Sequence, residues 1–383
     1  MNTFDLQMDF RVVFKDQAQE STAGLLGQMG AQRVLLVTDA GIQGAGLDQA
    51  YREALAAQGI EVAVFNDVEP NPTTANVEAG LALAKEFKPQ ALLGIGGGSV
   101  LDCAKAINIL LNRGGKMSDY AGPQQGGAAL LPLVAAPTTA GTGSEVSPFL
   151  LISDSETHAK IVCKDWQAIP KVAVLDPSLS LTLPPMATLF AGLDALVHGF
   201  EAYVAKGSQP YTQALALKSI GLVYQNLPKV METPSDVEAR GNMLLASNLA
   251  GMAFALSYLG LSHSLANALT KMKGTPHGLA VGMMLGAVIR FNAPVCGADY
   301  EHIARYLLGE GCPAEQQAAC LALADAVEKM AHSLGMPKNL GELEFQESQI
   351  PELVEEALRQ ATIQFNPRTP TAEELTTLLE SCF

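Results

Sequence analysis

Short apolar runs recur along the first half of the chain: RVLLVT at 33–38, EVAVF at 61–65, ALLGI at 91–95, LPLVAA at 131–136 and KVAVL at 171–175. Their hydrophobicity is continuous rather than alternating, which predicts strands covered on both faces of a parallel sheet. Between them, LDQAYREALAAQG and TTANVEAGLALAKEF repeat Leu and Ala at helical spacing, with charges on the opposite face. Strands and helices in alternation predict a doubly wound α/β domain over residues 1–181. Past Pro184 and Pro185 no run has strand character, and Ala/Leu-rich segments such as YTQALALKSIGLVYQNL and EQQAACLALADAVEKMAHSLG predict an all-α domain over 182–383.

A length of 383 residues accommodates about two such domains. The net charge of -15 with no basic run disfavours nucleic acid and anionic lipid as partners. Six scattered cysteines without a Cys-x-x-Cys pair predict buried free thiols. The acidic start MNTFDLQMDF lacks the basic and apolar regions of a signal peptide, so a cytoplasmic protein is expected. Gly241–Thr270 contains no charged residue and is long enough to span a bilayer. Its Asn, Ser and His residues would be costly in lipid, so buried helices broken near Gly260 are predicted instead.

Two loops follow strand ends, the edge at which open α/β sheets take ligands. The first, Gly94–Ser99, precedes a helix-like stretch; its glycines let backbone N–H groups crowd around a phosphate, and the helix dipole favours a pyrophosphate. Ser99 stands where the dinucleotide fingerprint has its third Gly. The second, Pro137–Glu145, carries four hydroxyls and two glycines. Asp39 closes the first of the runs, where a carboxylate can accept from ribose hydroxyls and repel a 2′-phosphate, favouring NAD over NADP; the alternative is that it caps the turn that follows.

In AGLDALVHGFEAY, Asp194 and His198 are four apart and share one helix face. His263 and His277, fourteen residues apart in uncharged settings, can come from consecutive helices facing that pair. One carboxylate and three imidazoles suit a divalent iron or zinc ion, with a position left for substrate. His158, His302 and His332 sit among charged or surface-like neighbours and are read as structural.

These residues resemble the iron-containing (group III) alcohol dehydrogenases nearly end to end. The match comprises Asp39, the PNPT turn at 70–73, GGGSVLDCAKA at 96–106, TTAGTGSE at 138–145, the GLDALVHGFEAY helix and the PHG at 276–278. The resemblance implies an N-terminal Rossmann-like domain, a C-terminal helical domain, a cleft between them and a homo-oligomer, dimeric or larger. It implies the metal at Asp194, His198, His263 and His277, and NAD at Asp39, Asn71, Gly97, Gly98, Ser99, Thr138, Thr139, Thr142, Ser147, Lys160 and Leu179. A small alcohol or diol and its aldehyde are the implied substrates. A polyol dehydrogenase, a dehydroquinate synthase-like lyase of the same fold and a degenerate NAD-binding protein are the alternatives.

The chain departs from the family's pattern around residue 267. Relatives usually carry a second His four residues after the ligand at His263, commonly assigned to proton transfer; here that position is Asn267. They also tend to have Asn-Asn where this chain has Ala255-Leu256, and Leu-Gly-Gly where it has Leu269-Thr270-Lys271. Asn267 does not change protonation state near neutral pH, so an unaltered proton relay does not carry over.

Overall fold

The computed structural model describes residues 8–124 and 126–383. The chain divides into two compact units, one ending at Leu183 and the other beginning at Pro184.

The first unit is built on a sheet of six strands, β1 (Arg11–Phe14), β2 (Arg33–Val37), β3 (Glu61–Phe65), β4 (Ala91–Gly96), β6 (Leu133–Pro137) and β9 (Val172–Leu175), in the order β1-β9-β6-β4-β2-β3. Every pairing in it is parallel. Helices α1 (Gln19–Gln28), α2 (Ala40–Gly44), α3 (Gln49–Ala57), α4 (Thr74–Phe87) and α5 (Gly98–Arg113) connect the strands. Alternate residues of β2 enter separate cores: Leu35 and Val37 pack with Val77, Leu81 and Ile107, whereas Val34 and Leu36 pack with Leu26, Tyr51 and Leu55. Both faces are therefore covered, the physical reason that the strands read as unbroken apolar runs.

Two features depart from the sequence expectation. β1 lies at the sheet edge with Val12 and Phe14 exposed, so RVVF lacks the continuous burial that marks its neighbours. A second, three-stranded sheet joins β5 (Gly122–Pro123), β7 (Phe149–Ser153) and β8 (Lys160–Lys164), with β7 and β8 antiparallel. In β7, Leu150 and Ile152 are buried while Leu151 is exposed; this one-sided burial replaces the continuous signal that identified the main strands.

The second unit contains α6 (Pro185–Val204), α7 (Pro210–Glu232), α8 (Val237–Ser257), α9 (Leu261–Lys273), α10 (His277–Leu308), α11 (Gln316–Ser333), α12 (Ile350–Leu358) and α13 (Ala372–Glu380). α6 packs against α7, α8 and α10 and is buried along almost its whole length from Thr188 onward, which accounts for its apolar composition. The charge-free stretch 241–270 is split between α8 and α9, which meet at 102°. The break holds Tyr258 at φ 67°, a conformation few side chains adopt, with its ring stacked 4.0 Å from Phe365. His277–Gly311 is long and apolar enough to cross a membrane by composition, with 56% of its most apolar window buried within the fold.

Candidate metal centre and cofactor loops

Asp194 and His198 project from α6, His263 from the first turn of α9, and His277 from the start of α10, just after Pro276. The Nε2 atoms of His198, His263 and His277 lie 3.5, 3.7 and 3.6 Å from one atom, Asp194 Oδ1. Asp194, His198 and His263 are buried, whereas the His277 side chain is 43% exposed. The His198 ring stacks on His263 at 4.9 Å and meets Phe254 of α8 at 4.6 Å.

Asp194 Oδ1 and His263 Nε2 are both buried without a hydrogen-bond partner. Buried polar atoms ordinarily find one, and a carboxylate oxygen facing imidazole nitrogens is a donor set that one divalent cation satisfies. Ligand atoms about 2.1 Å from a shared ion at tetrahedral angles lie about 3.4 Å apart, close to the separations here. The residues present therefore fit a metal of the iron or zinc kind.

Electrostatics in this cluster are set by competition between burial and partners. Burial alone would raise Asp194, but His198, His263 and His277 outweigh it and hold the carboxyl well below the ordinary range. Glu201, one turn beyond His198 on α6, accepts from His263 Nδ1 at 2.7 Å and from the backbone N–H groups of Gly260 at 2.8 Å and Ser262 at 2.6 Å. Burial works against its ionisation, yet His263 and those amides keep it lowered. Glu201 thus closes the amino end of α9 and fixes the ring of His263. Sequence reasoning missed it, although 194, 198 and 201 share the i, i+4, i+7 spacing of one helix face.

Asn267 sits one turn after His263 on α9, and its Nδ2 donates to Gln360 Oε1 at 3.2 Å. Gln360 in turn donates to Glu356 Oε1 at 2.8 Å, and Lys271 to Glu356 Oε2 at 2.6 Å. Asn267 is therefore one end of an amide and ion-pair chain leading to an exposed lysine.

In the sheet unit Asp39, Asn71, Gly97, Gly98, Ser99, Thr138, Thr139, Thr142 and Leu179 follow the carboxyl ends of main-sheet strands, whereas Ser147 precedes β7 and Lys160 opens β8. Gly97 is the N-cap of α5, and Gly98 and Ser99 begin it. A side chain at Gly97 would lie 3.3 Å from Thr139 Cγ2, and one at Gly98 2.7 Å from Thr142 Cγ2, so glycine lets the two loops touch. Thr138 N donates to Gly96 O at 3.0 Å, joining the same two loops. Asn71, at φ 56°, donates its N–H to Ser99 Oγ at 3.3 Å and accepts from Lys160 Nζ at 3.1 Å. Asp39 accepts from Ile42 N through Oδ1 at 2.9 Å as the N-cap of α2, so the capping role is present in the structure. Ser147 is buried, and the Leu179 side chain belongs to the apolar core with Ile95 and Val134, leaving its backbone as what it can offer a ligand.

The sequence pattern described as "Iron-containing alcohol dehydrogenase" matches residues 10–177, and "Fe-containing alcohol dehydrogenase family, C-terminal" matches 188–383. The chain belongs to the iron-containing alcohol dehydrogenase family. It is similar to alcohol dehydrogenase 4 of Schizosaccharomyces pombe, with 37% identity over 92% of this chain and 82% of the relative. It is also similar to an NAD-dependent methanol dehydrogenase of Bacillus methanolicus, at 35% identity over 93% of both. The structure resembles that of a 1,3-propanediol oxidoreductase with a TM-score of 0.96 at 33% identity, covering the whole of both chains.

Proposed function

We propose that the chain interconverts a small primary alcohol or diol and its aldehyde by hydride transfer, using NAD and one divalent metal ion held by Asp194, His198, His263 and His277. The observation that carries this reading is the meeting of three imidazole Nε2 atoms on Asp194 Oδ1, with two of these buried atoms lacking any hydrogen-bond partner. Relatives named for methanol and 1,3-propanediol support a small substrate. The family's name favours iron, with zinc as the second choice from the same donor set.

When bound, the metal supplies the Lewis acidity that acidifies an alcohol or polarises a carbonyl, and the nicotinamide supplies the hydride acceptor or donor. The chain's own residues do the rest. With the metal bound, Glu201 would accept the Nδ1–H of His263 and leave Nε2 free to serve as a ligand beside Asp194. The touching turns at Gly97–Ser99 and Thr138–Thr142 offer backbone N–H groups and the amino end of α5 to a pyrophosphate. Asp39, at the end of β2, would accept from the ribose hydroxyls of a bound NAD and repel a 2′-phosphate, which favours NAD. Asn267 donates an amide hydrogen and carries no titrating proton, so proton movement to solvent runs by a route other than this side chain.

The test is NADH absorbance with metal-stripped protein, given Fe2+ or Zn2+ anaerobically with a panel of short alcohols, diols and aldehydes. Turnover restored by metal is expected. Turnover at the full rate without metal would overturn the proposal.

A further inference from the structure

Lys105 is the one lysine buried among the described residues, fully enclosed in the middle of α5. Its Nζ donates to Ser144 Oγ at 2.8 Å, to Ser147 O at 3.0 Å and to Phe149 O at 2.9 Å. An ammonium has three N–H donors, and this one spends all of them on one short segment. One turn earlier on the same helix, Asp102 accepts from Ser144 Oγ at 2.6 Å and from Leu151 N at 2.9 Å. Burial lowers the lysine to about 8 against the pull of Asp102 and Glu145, which leaves it charged at neutral pH.

These bonds tie segment 144–151 to α5, the helix that begins with the Gly97–Ser99 turn. The segment follows directly on Thr138, bonded through its N–H to Gly96 O, and on Thr139 and Thr142, which stand against Gly97 and Gly98 with no space for a methyl group between Gly98 and Thr142. A loop pinned at 144 and 147 cannot drift from a turn fixed to the same helix.

We propose that Lys105, working through Ser144 and with Asp102, is a positioning residue that sets the clearance between the two cofactor loops. The proposal rests on the reading that those loops bind NAD. The lysine reaches no cofactor itself; it acts by holding the backbone that does. Removing the ammonium takes a buried donor from the carbonyl of Ser147 and the nearer of two cations from Asp102, and the segment relaxes away from the glycine turn.

The experiment is NADH binding by fluorescence titration on the wild type, Lys105→Met and Ser144→Ala, each also measured for metal affinity and melting temperature. Wild type binds NADH. Lys105→Met is expected to weaken that binding about tenfold or more, and Ser144→Ala about threefold, from the loss of charge-assisted bonds. Metal affinity stays within about twofold, since the ligands lie in the other unit, and the variant shows a raised KM for NAD with kcat changed less. Folded Lys105→Met and Ser144→Ala that bind NADH as tightly as the wild type overturn the proposal. Should Lys105→Met fail to fold, Ser144→Ala decides alone. A wild type that binds no NADH overturns the cofactor reading itself.

Discussion

Glu201 Oε2 stands 2.7 Å from His263 Nδ1, and this bond determines which edge of the imidazole faces Asp194. Glu201→Ala removes the acceptor and strands the amides of Gly260 and Ser262. Metal affinity should fall about 10- to 100-fold, the range for lost ligand-orienting partners, as read by competition with a chromogenic chelator. Glu201→Gln keeps one acceptor and should fall between. Equal affinity in all three proteins would show that the ring is held by something else.

Asp194 is the point on which three imidazoles converge. Asp194→Asn preserves shape but deletes the only carboxylate among the four proposed ligands. Elemental analysis of the purified variant should find substoichiometric metal, with NADH binding and circular dichroism unchanged. Stoichiometric metal in the variant would contradict the assignment.

A pH dependence follows for the metal-free protein. Burial opposes protonation of His263, but Glu201 and Asp194 outweigh it and raise the imidazole from 6.5 to about 9. A raised group contributes stability that is fully present below the unfolded value, about 6.5, and is lost as the pH climbs through about 9. Melting temperatures of the apoprotein should therefore decline across that window. Metal affinity should rise over the same window, because the ion displaces the proton. A decline of equal size in His263→Gln would remove His263 as the cause.

Asn267→His introduces a titrating side chain one turn from His263. The pH profile of kcat should gain an ionisation at about 6–7, the ordinary range of an imidazole, which the wild type lacks. Identical profiles would mean that residue 267 stands outside the proton path.

Gly278 follows His277, one of the four proposed ligands, and a β-carbon there would lie 2.1 Å from the carbonyl oxygen of Phe190 on α6. Gly278→Ala must push α10 away from α6, the helix that carries Asp194. A cost of about 1–3 kcal/mol in chemical unfolding is expected, together with weakened metal binding. Gly274→Ala, at a site with open space but φ 67°, should cost stability while sparing the metal.

The strands with both faces covered were legible because burial on two sides leaves no polar alternation to confuse the reading. β1 escaped because Val12 and Phe14 point to solvent at the sheet edge, and β7 and β8 because only alternate residues are buried. Asp194 and His198 were legible as an i, i+4 pair on one helix. That His263 and His277 close on the same oxygen depends on the 102° turn between α8 and α9 and on the loop before Pro276, neither of which any local pattern encodes. Glu201 was within reach of the same helical spacing, but a lone Glu looks like surface until the amides of Gly260 and Ser262 are placed beside it. Lys105 gave no signal, since a lysine in a helix is ordinarily solvated.

The pairing of β1 with β9 has a consequence for synthesis. Residues 11–14 find their partners only at 172–175, so the first strand to leave the ribosome waits for the last before the sheet can be completed. Until then β9's place beside β6 stays open, and an unpaired parallel edge is the species most exposed to association with other chains. Slowing translation near residue 175 should lengthen that interval, so codon choice there bears on the yield of folded protein while leaving the mature enzyme unchanged.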